Sequence, residues 1–433
     1  MEFKNIFSRE TGGPSEFYRI PAMITTKNGV TVVCADVRFD GPHDNPNRID
    51  KYVRRSLDSG ETWSEYIPVM REMGTERMKS SAAIDPILTY SPETGRIFMH
   101  CVHSPAGIGV WNSKRGVGED ADGNRFIYGG GKKYVLKDKM LYLDGQPSGY
   151  QVADNGDVVD ESGKVGNIYV GEDFKEEETF WLVMSYSDDD GLTWSETQSL
   201  NYQVKEAWMS SLGPGPGNGI VLKHGEHKGR ILVPVYFGIT EEAPLKLSCC
   251  MIYSDDNGVT WKRGETPNNT RMLDGKKADC MTIDAKESLS EAQVIEKEDG
   301  TLKLFMRNEN TCRCVAVAYS RDGGETWGDF SYDENLPQPV CQLSVIKLEN
   351  TEKPYVVFLN PADKEGRRNG TVRLSEDDGE TFPYSRMLSE EFCMYSSLSQ
   401  LPDGNIGAFL EADPACREMV FTKFSLEWIK GEK

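Results

Sequence analysis

One eight-residue pattern, Ser-x-Asp-x-Gly-x-Thr-Trp, restricts the fold of this chain more than any other feature. It runs from Ser56 to Trp63, Ser187 to Trp194, Ser254 to Trp261 and Ser320 to Trp327, and a copy ending in Phe runs from Ser375 to Phe382. Each copy reads as a turn cassette. The Asp carboxylate can accept backbone N–H groups of the turn, the Gly tolerates positive φ, and the closing aromatic can cover a hairpin. Turn cassettes repeated at a period longer than about twenty residues mean a propeller or solenoid, in which each unit buries its apolar face on the next. The aspartates are Asp58, Asp189, Asp256, Asp322 and Asp377, so the first interval is about twice the length of the next. An insertion sits between the first two copies.

A second turn signal precedes each cassette: Asn28-Gly29, Thr94-Gly95, Gly225 to Gly229, Asp299-Gly300 and Asn350 to Glu352. A sixth, Asp403-Gly404, is followed only by Met419 to Phe424 and the chain end. A last unit short of one strand can borrow Asn5-Ile6-Phe7-Ser8 from the N-terminus, which closes the ring and removes an exposed edge. The expectation is an all-β protein: a six-bladed β-propeller of four-stranded blades over residues 1–103 and 176–433. A small β-rich insert fills 104–175, with short alternating runs such as Lys133 to Leu136 and Lys164 to Val170.

The formal net charge of −20 over 433 residues argues against nucleic acid and anionic lipid as partners, because both reward a basic surface. Any anion must then be met by a local cluster of arginines. No apolar run approaches the length of a membrane span. The ten cysteines (34, 101, 249, 250, 280, 312, 314, 341, 393 and 416) lack Cys-x-x-Cys spacing and several lie in strand-like runs, so they read as reduced and mostly buried. Met1-Glu2-Phe3-Lys4 leads almost directly into the first strand. The expectation is a cytoplasmic protein, or a secreted one if a leader has been removed. His100-Cys101-Val102-His103 reads as core packing rather than a metal site, since alternate side chains of a strand face opposite ways. His224 and His227 read as a solvated turn.

Arg19 and Arg38 stand at equal distances on either side of Asn28-Gly29, so a hairpin returns them to the same end. Glu291 and Arg307 flank Asp299-Gly300 in a similar way, as Tyr395 and Glu411 flank Asp403-Gly404. Each pair alone could be an ordinary cross-strand pair. In a propeller, the three pairs can converge at one end of the central axis.

These residues resemble the bacterial sialidase family over nearly the whole chain. The family's Arg-Ile-Pro motif matches Arg19-Ile20-Pro21, its Asp boxes match the five cassettes, and its glutamate segment is similar to Ser290-Glu291-Ala292-Gln293. The resemblance implies a nucleophile at Tyr395, its base at Glu291 and an acid/base at Asp44, with Asp40 and Asp50 as nearby competitors. It implies an arginine triad of Arg19, Arg307 and Arg367, with Arg368 as the competing choice for the third. Arg38 matches a further pocket arginine, Asp85 with Ile84 matches the segment that contacts ring substituents, and Glu411 matches the acid that orients the first arginine. No metal and no cofactor are implied. The insert and Gly213-Pro214-Gly215-Pro216-Gly217 resemble a subgroup holding both hydrolytic sialidases and intramolecular trans-sialidases. Trp111, Tyr128, Tyr142 and Tyr150 either stack on sugar faces or build the insert's own core.

The chemistry accounts for the residue types. Three guanidinium groups can fix the carboxylate of sialic acid through charge-assisted, bidentate bonds. The same carboxylate repels an anionic nucleophile, so a neutral tyrosine deprotonated as it attacks suits this substrate better than a second carboxylate. An acid that protonates the leaving oxygen and then activates water gives retention, and such an acid is expected in a partly desolvated loop that raises its pKa. The implied substrates are sialylated oligosaccharides, glycoproteins or glycolipids, hydrolysed to free sialic acid. The alternatives are an intramolecular trans-sialidase releasing 2,7-anhydro-sialic acid and, from another class, a sialic-acid-binding propeller without catalysis.

Overall fold

Each turn cassette folds as its residue types demand. In the first, Ser56 Oγ donates to Asp58 Oδ1 and accepts from Gly60 N, both at 2.8 Å, while Asp58 accepts from the N–H and the hydroxyl of Thr62 at 2.8 and 2.6 Å. The other four repeat the Asp–Thr pair of bonds. The cassette glycines also position the blades. A Cβ on Gly60 would lie 2.2 Å from Phe421, one on Gly258 2.4 Å from Phe98 and one on Gly379 2.8 Å from Ile295, each an apolar side chain of the preceding blade. Close approach of neighbouring units thus adds to the positive φ in excluding a side chain there.

The computed structural model describes residues 1–432 other than 75, 172, 240–243 and 274. Antiparallel ladders group the strands into six four-stranded blades. The first holds Phe17–Thr25, Thr31–Arg38, Ile49–Ser56 and Ile67–Met70; the second Ala82–Tyr90, Ile97–Ser104, Trp181–Ser187 and Gln198–Ser199. The third holds Ser211–Pro214, Ile231–Gly238, Leu247–Ser254 and Lys262–Arg263; the fourth Leu289–Glu296, Leu302–Asn308, Cys314–Ser320 and Gly328–Pro337. The fifth holds Ser344–Lys347, Val356–Pro361, Gly370–Ser375 and Tyr384–Ser389. The sixth is Ser396–Gln400, Ile406–Leu410 and Met419–Phe424, completed by the N-terminal strand Lys4–Phe7, which pairs Lys4 with Phe421. The ring closes as the missing strand required. Apolar clusters between blades form the core, for example Ile295, Phe305, Val345 and Phe358 between the fourth and fifth.

Between the second and third strands of the second blade, a separate seven-stranded sheet runs from Phe126–Gly129 to Phe174–Glu176. It has its own core of Ile127, Tyr134, Leu141, Val158 and Phe174, with Tyr150 packed against it. A buried charge cluster docks it. His103, on the second blade, lies between Glu72 (3.0 Å) and Glu176 of the insert (2.8 Å), and Arg125 pairs with Glu176 at 2.7 Å. Burial opposes the charge on His103, but the two carboxylates outweigh it and raise the imidazole to about 10. The reading of this motif as core packing therefore holds for His100, which packs edge-on to Trp261 at 4.8 Å, and is corrected for His103. Its partners come from a loop and the insert, both far away in sequence.

Nine of the ten cysteines are buried, Cys312 is half-buried, and all are free. Among the described residues, no helix is long and apolar enough to cross a membrane.

Candidate active site

The inner strands of three blades each carry a β-bulge near their start: between Arg19 and Ala22, Ile84 and Ile87, and Leu289 and Ala292. Two contain a proline, Pro21 and Pro86, which cannot donate to a ladder. Ile20 and Asp85, the residues before them, have φ of 58° and 61°. This left-handed region costs a non-glycine residue about 1–3 kcal/mol. At Ile20 the strain is offset by Glu411, whose Oε1 accepts the Ile20 N–H at 2.7 Å. A bulge re-aims side chains, and these three bring Arg19, Asp85 and Glu291 to the same end of the ring.

Tyr395 stands at the centre, immediately before the inner strand of the sixth blade. Its hydroxyl donates to Glu291 Oε1 and accepts from Arg307 Nη1 at 2.9 Å, while the same Nη1 bonds Glu291 Oε2 at 2.7 Å. Tyr395 and Glu291 are both buried. Burial and the Glu291 carboxylate hold the phenol well above its usual range, against the lowering pull of Arg307 and Arg367. The free site thus keeps a neutral phenol in contact with a carboxylate that can take its proton. Ile20, Cys341, Met394 and Cys416 pack around the tyrosine.

Three arginines surround this pair. Arg19 lies 5.5 Å from the Tyr395 ring centroid and is oriented by Glu411 through Nε (3.2 Å) and Nη2 (3.4 Å). Arg367 lies 5.6 Å from the same ring; among the described residues its guanidinium has only long contacts, to Met394 Sδ and the Val340 carbonyl, both 3.4 Å. Arg368 points elsewhere and pairs with Asp363 at 2.6 Å on the surface. The structure brings together Arg19, Arg307 and Arg367.

Asp44 lies in the loop after Thr31–Arg38 and pairs with Arg38 Nη1 at 2.8 Å and Arg19 Nη1 at 3.4 Å, while its side chain stays 64% exposed. Partial desolvation among the neighbouring groups pushes its carboxyl up, but the guanidinium groups of Arg38 and Arg19 outweigh that and hold it below the usual range. The expectation that this environment keeps Asp44 protonated is therefore corrected for the free site. Asp40 is exposed, with its N–H bonded to Asn47, and Asp50 is buried against Arg48 at 3.1 Å. Of the three acids, only Asp44 touches the arginines of the site. Arg38 itself is fully buried, braced by Asp36 at 2.9 Å and the Pro42 carbonyl at 2.7 Å, so in this state it holds Asp44. Ile84 packs into an apolar cluster with Ile49 and Val102.

Asp85 accepts from the Tyr236 hydroxyl at 3.2 Å. Burial, with Asp36 and Glu291 nearby, drives the Asp85 carboxyl well above its usual value; burial, Asp85 and Glu291 do the same to the Tyr236 phenol. Tyr236 was not found from the sequence. It sits on the second strand of its blade, as Arg38 and Arg307 do on theirs, but the long turn from Gly225 to Gly229 hides that equivalence. The Gly-Pro run supports Glu291: a Cβ on Gly215 would lie 2.7 Å from Ala292 N, and Gln293 Nε2 donates to the Pro216 carbonyl at 3.2 Å.

A family described as a BNR repeat-like domain matches residues 133–408. The anhydrosialidase of Macrobdella decora is 28% identical over 505 residues, covering 99% of this chain and 63% of its own length. The sialidase of Micromonospora viridifaciens is 28% identical over 424 residues, covering 96% of this chain and 52% of its own. Among solved structures, the intramolecular trans-sialidase from Ruminococcus gnavus, in complex with oseltamivir carboxylate, superposes with a TM-score of 0.81 at 26% identity over 98% of both chains. The chain thus spans about half to two-thirds of the length of these curated relatives.

Proposed function

This chain belongs to the sialidase family of BNR-repeat propellers, and from that premise we propose that it is an exo-α-sialidase, hydrolysing terminal sialic acid from oligosaccharides, glycoproteins or glycolipids with retention. The observation that carries the proposal is the Tyr395 hydroxyl shared between Glu291 and Arg307, with Arg19 and Arg367 against the same ring.

The substrate carboxylate docks on Arg19, Arg307 and Arg367. Its arrival draws Arg19 away from Asp44 and adds a negative charge beside it, so Asp44 takes up a proton on binding. Glu291 accepts the Tyr395 proton as the phenolic oxygen attacks the anomeric carbon and Asp44 protonates the leaving oxygen. The tyrosyl intermediate is then attacked on the opposite face by water that Asp44 deprotonates, which restores the starting configuration. Asp85, held by Tyr236, faces the ring substituents.

Hydrolysis is favoured because the Asp44 side chain is 64% exposed, which lets water reach the group that must activate it. The second reading, intramolecular attack by the sugar's own hydroxyl with release of an anhydro product, is supported by the likeness to the anhydrosialidase of Macrobdella decora and the intramolecular trans-sialidase from Ruminococcus gnavus, which align over 99% and 98% of this chain. Cleavage of 3′-sialyllactose in heavy-oxygen water separates the two. The expected product is sialic acid carrying the label. An unlabelled product lacking the elements of water would establish the second reading instead.

A further inference from the structure

Two of the ten cysteines differ from the rest in placement. Cys249 and Cys250 are adjacent in sequence, but they lie on the strand Leu247–Ser254 and enter different cores, Cys249 with Leu232 and Met251, Cys250 with Phe237 and Ile252. Cys312 and Cys314 instead flank a bend. Arg313 between them has a φ of 52°, and Cys312 is half-buried where the other nine cysteines are buried. Cα atoms two residues apart lie at most about 7 Å from each other, and a left-handed residue between them shortens that into the span of about 4.4–6.8 Å that a disulfide accepts. The Cys314 thiol is folded back over its neighbour, Sγ lying 3.2 Å from the Cys312 carbonyl. Burial raises the Cys312 thiol above its usual range and the Cys314 thiol adds to that, while the Lys364 ammonium pulls it down.

The bend is tied to the supports of two site arginines. Lys364 Nζ donates to the Cys312 carbonyl at 2.9 Å and to Cys314 Sγ at 3.5 Å. Lys364 belongs to the loop between Val356–Pro361 and Gly370–Ser375, the loop that carries Arg367. A second route runs through Gln338, which donates its N–H to the Arg313 carbonyl at 3.0 Å and accepts from Cys341 N at 3.3 Å, next to the Val340 carbonyl that Arg367 Nη2 touches at 3.4 Å. Asn308, adjacent to Arg307, donates through Nδ2 to the Cys314 carbonyl at 2.8 Å.

We propose that Cys312 and Cys314 form a thiol–disulfide site, and that its oxidation by a small-molecule disulfide loosens Arg367 and weakens binding of the substrate carboxylate. Half-buried Cys312 is the sulfur a reagent meets first. With glutathione disulfide, the Cys312 thiolate attacks one sulfur and expels one glutathione thiolate. Cys314 then loses its proton, attacks the Cys312 sulfur and expels the second glutathione thiolate. Two protein thiols are oxidised to one disulfide, one glutathione disulfide is reduced to two thiols, and the two thiol protons end on them. Closure brings the sulfurs to about 2.05 Å, so Cys314 Sγ leaves the Cys312 carbonyl and Lys364 loses its contacts with the bend. A bridge across a single residue closes a small, strained ring, and strained bridges are readily reduced, so the change is reversible by thiol.

The effect on binding rests on the sialidase reading, whereas the bridge itself is read without any activity. The whole chain is incubated with glutathione disulfide under native conditions, freed of reagent and divided between peptide mapping and kinetics. A loss of two hydrogens is expected in the peptide holding both cysteines. KM for 3′-sialyllactose is expected to rise about tenfold with kcat changed less than about threefold, the pattern of a contact made equally in ground and transition states. Dithiothreitol should reverse both changes, and Cys312→Ser treated in the same way should keep its KM. A glutathione adduct that persists on Cys312 without a bridge, no reaction at either cysteine, or a bridge that leaves KM unchanged would overturn the proposal. A wild-type protein that forms the bridge but cleaves no sialoside would sink the functional reading, and the effect on binding with it, and leave the thiol–disulfide site standing.

Discussion

Replacing Glu291 by Gln is expected to slow the first chemical step about 100- to 10,000-fold, the range set by loss of a positioned base, on natural and aryl sialosides alike. In the free site Glu291 is the proton acceptor in contact with the Tyr395 hydroxyl. Without its charge the phenol is still buried, so at neutral pH it remains protonated and a poor nucleophile whichever leaving group is offered. Asp44→Ala is expected to behave differently. An aryl sialoside departs with little protonation, so this variant should retain far more of its single-turnover rate on the aryl substrate than on sialyllactose. Equal losses on both substrates for Asp44→Ala would remove it as the acid. Selective rescue of Glu291→Gln by the aryl substrate would exchange the two roles.

Arg367→Ala is expected to lower kcat/KM about 30- to 1,000-fold, the loss of one charge-assisted bidentate contact to a carboxylate. Arg19 is oriented by Glu411 and Arg307 by Glu291, whereas among the described residues Arg367 has only a thioether and a distant carbonyl, so its fork is open to the substrate. Arg368 already pairs with Asp363 at a half-exposed surface position. Exposed pairs of that kind contribute about 1 kcal/mol or less, and Arg368→Ala should change kcat/KM less than about fivefold. A reversed order between the two variants would move the third arginine to Arg368.

The fold was legible in the sequence because its repeat is local. Ser, Asp, Gly and Thr of each cassette satisfy one another within eight residues, so Ser56 to Trp63 can be read without knowing what surrounds it. Much of the site was legible for a related reason: hairpin strands on either side of Asn28-Gly29, Asp299-Gly300 and Asp403-Gly404 deliver Arg19, Glu291, Arg307, Tyr395 and Glu411 by position along the strand. Arg367 escaped that logic, since it lies in the loop before Gly370–Ser375 and came from the family resemblance. Tyr236 was missed because its inner neighbour strand is broken by the Gly-Pro run and its turn is long. The ionised state of Asp44 was misjudged because the Arg38 and Arg19 groups that fix it act through space, and the pairing of His103 with Glu72 and Glu176 joins three segments that no sequence window contains.

In the proposed reaction Tyr395, activated by Glu291, forms a bond to the anomeric carbon. The most direct test is mass-spectrometric peptide mapping after incubation with a 3-fluorosialosyl fluoride, whose ring fluorine slows breakdown of the intermediate while the fluoride at the anomeric carbon departs readily. One sialosyl adduct per chain is expected, located on Tyr395 and lost on longer incubation. An adduct on Glu291 or Asp44, or no adduct at all from a preparation that turns over sialyllactose, would contradict it.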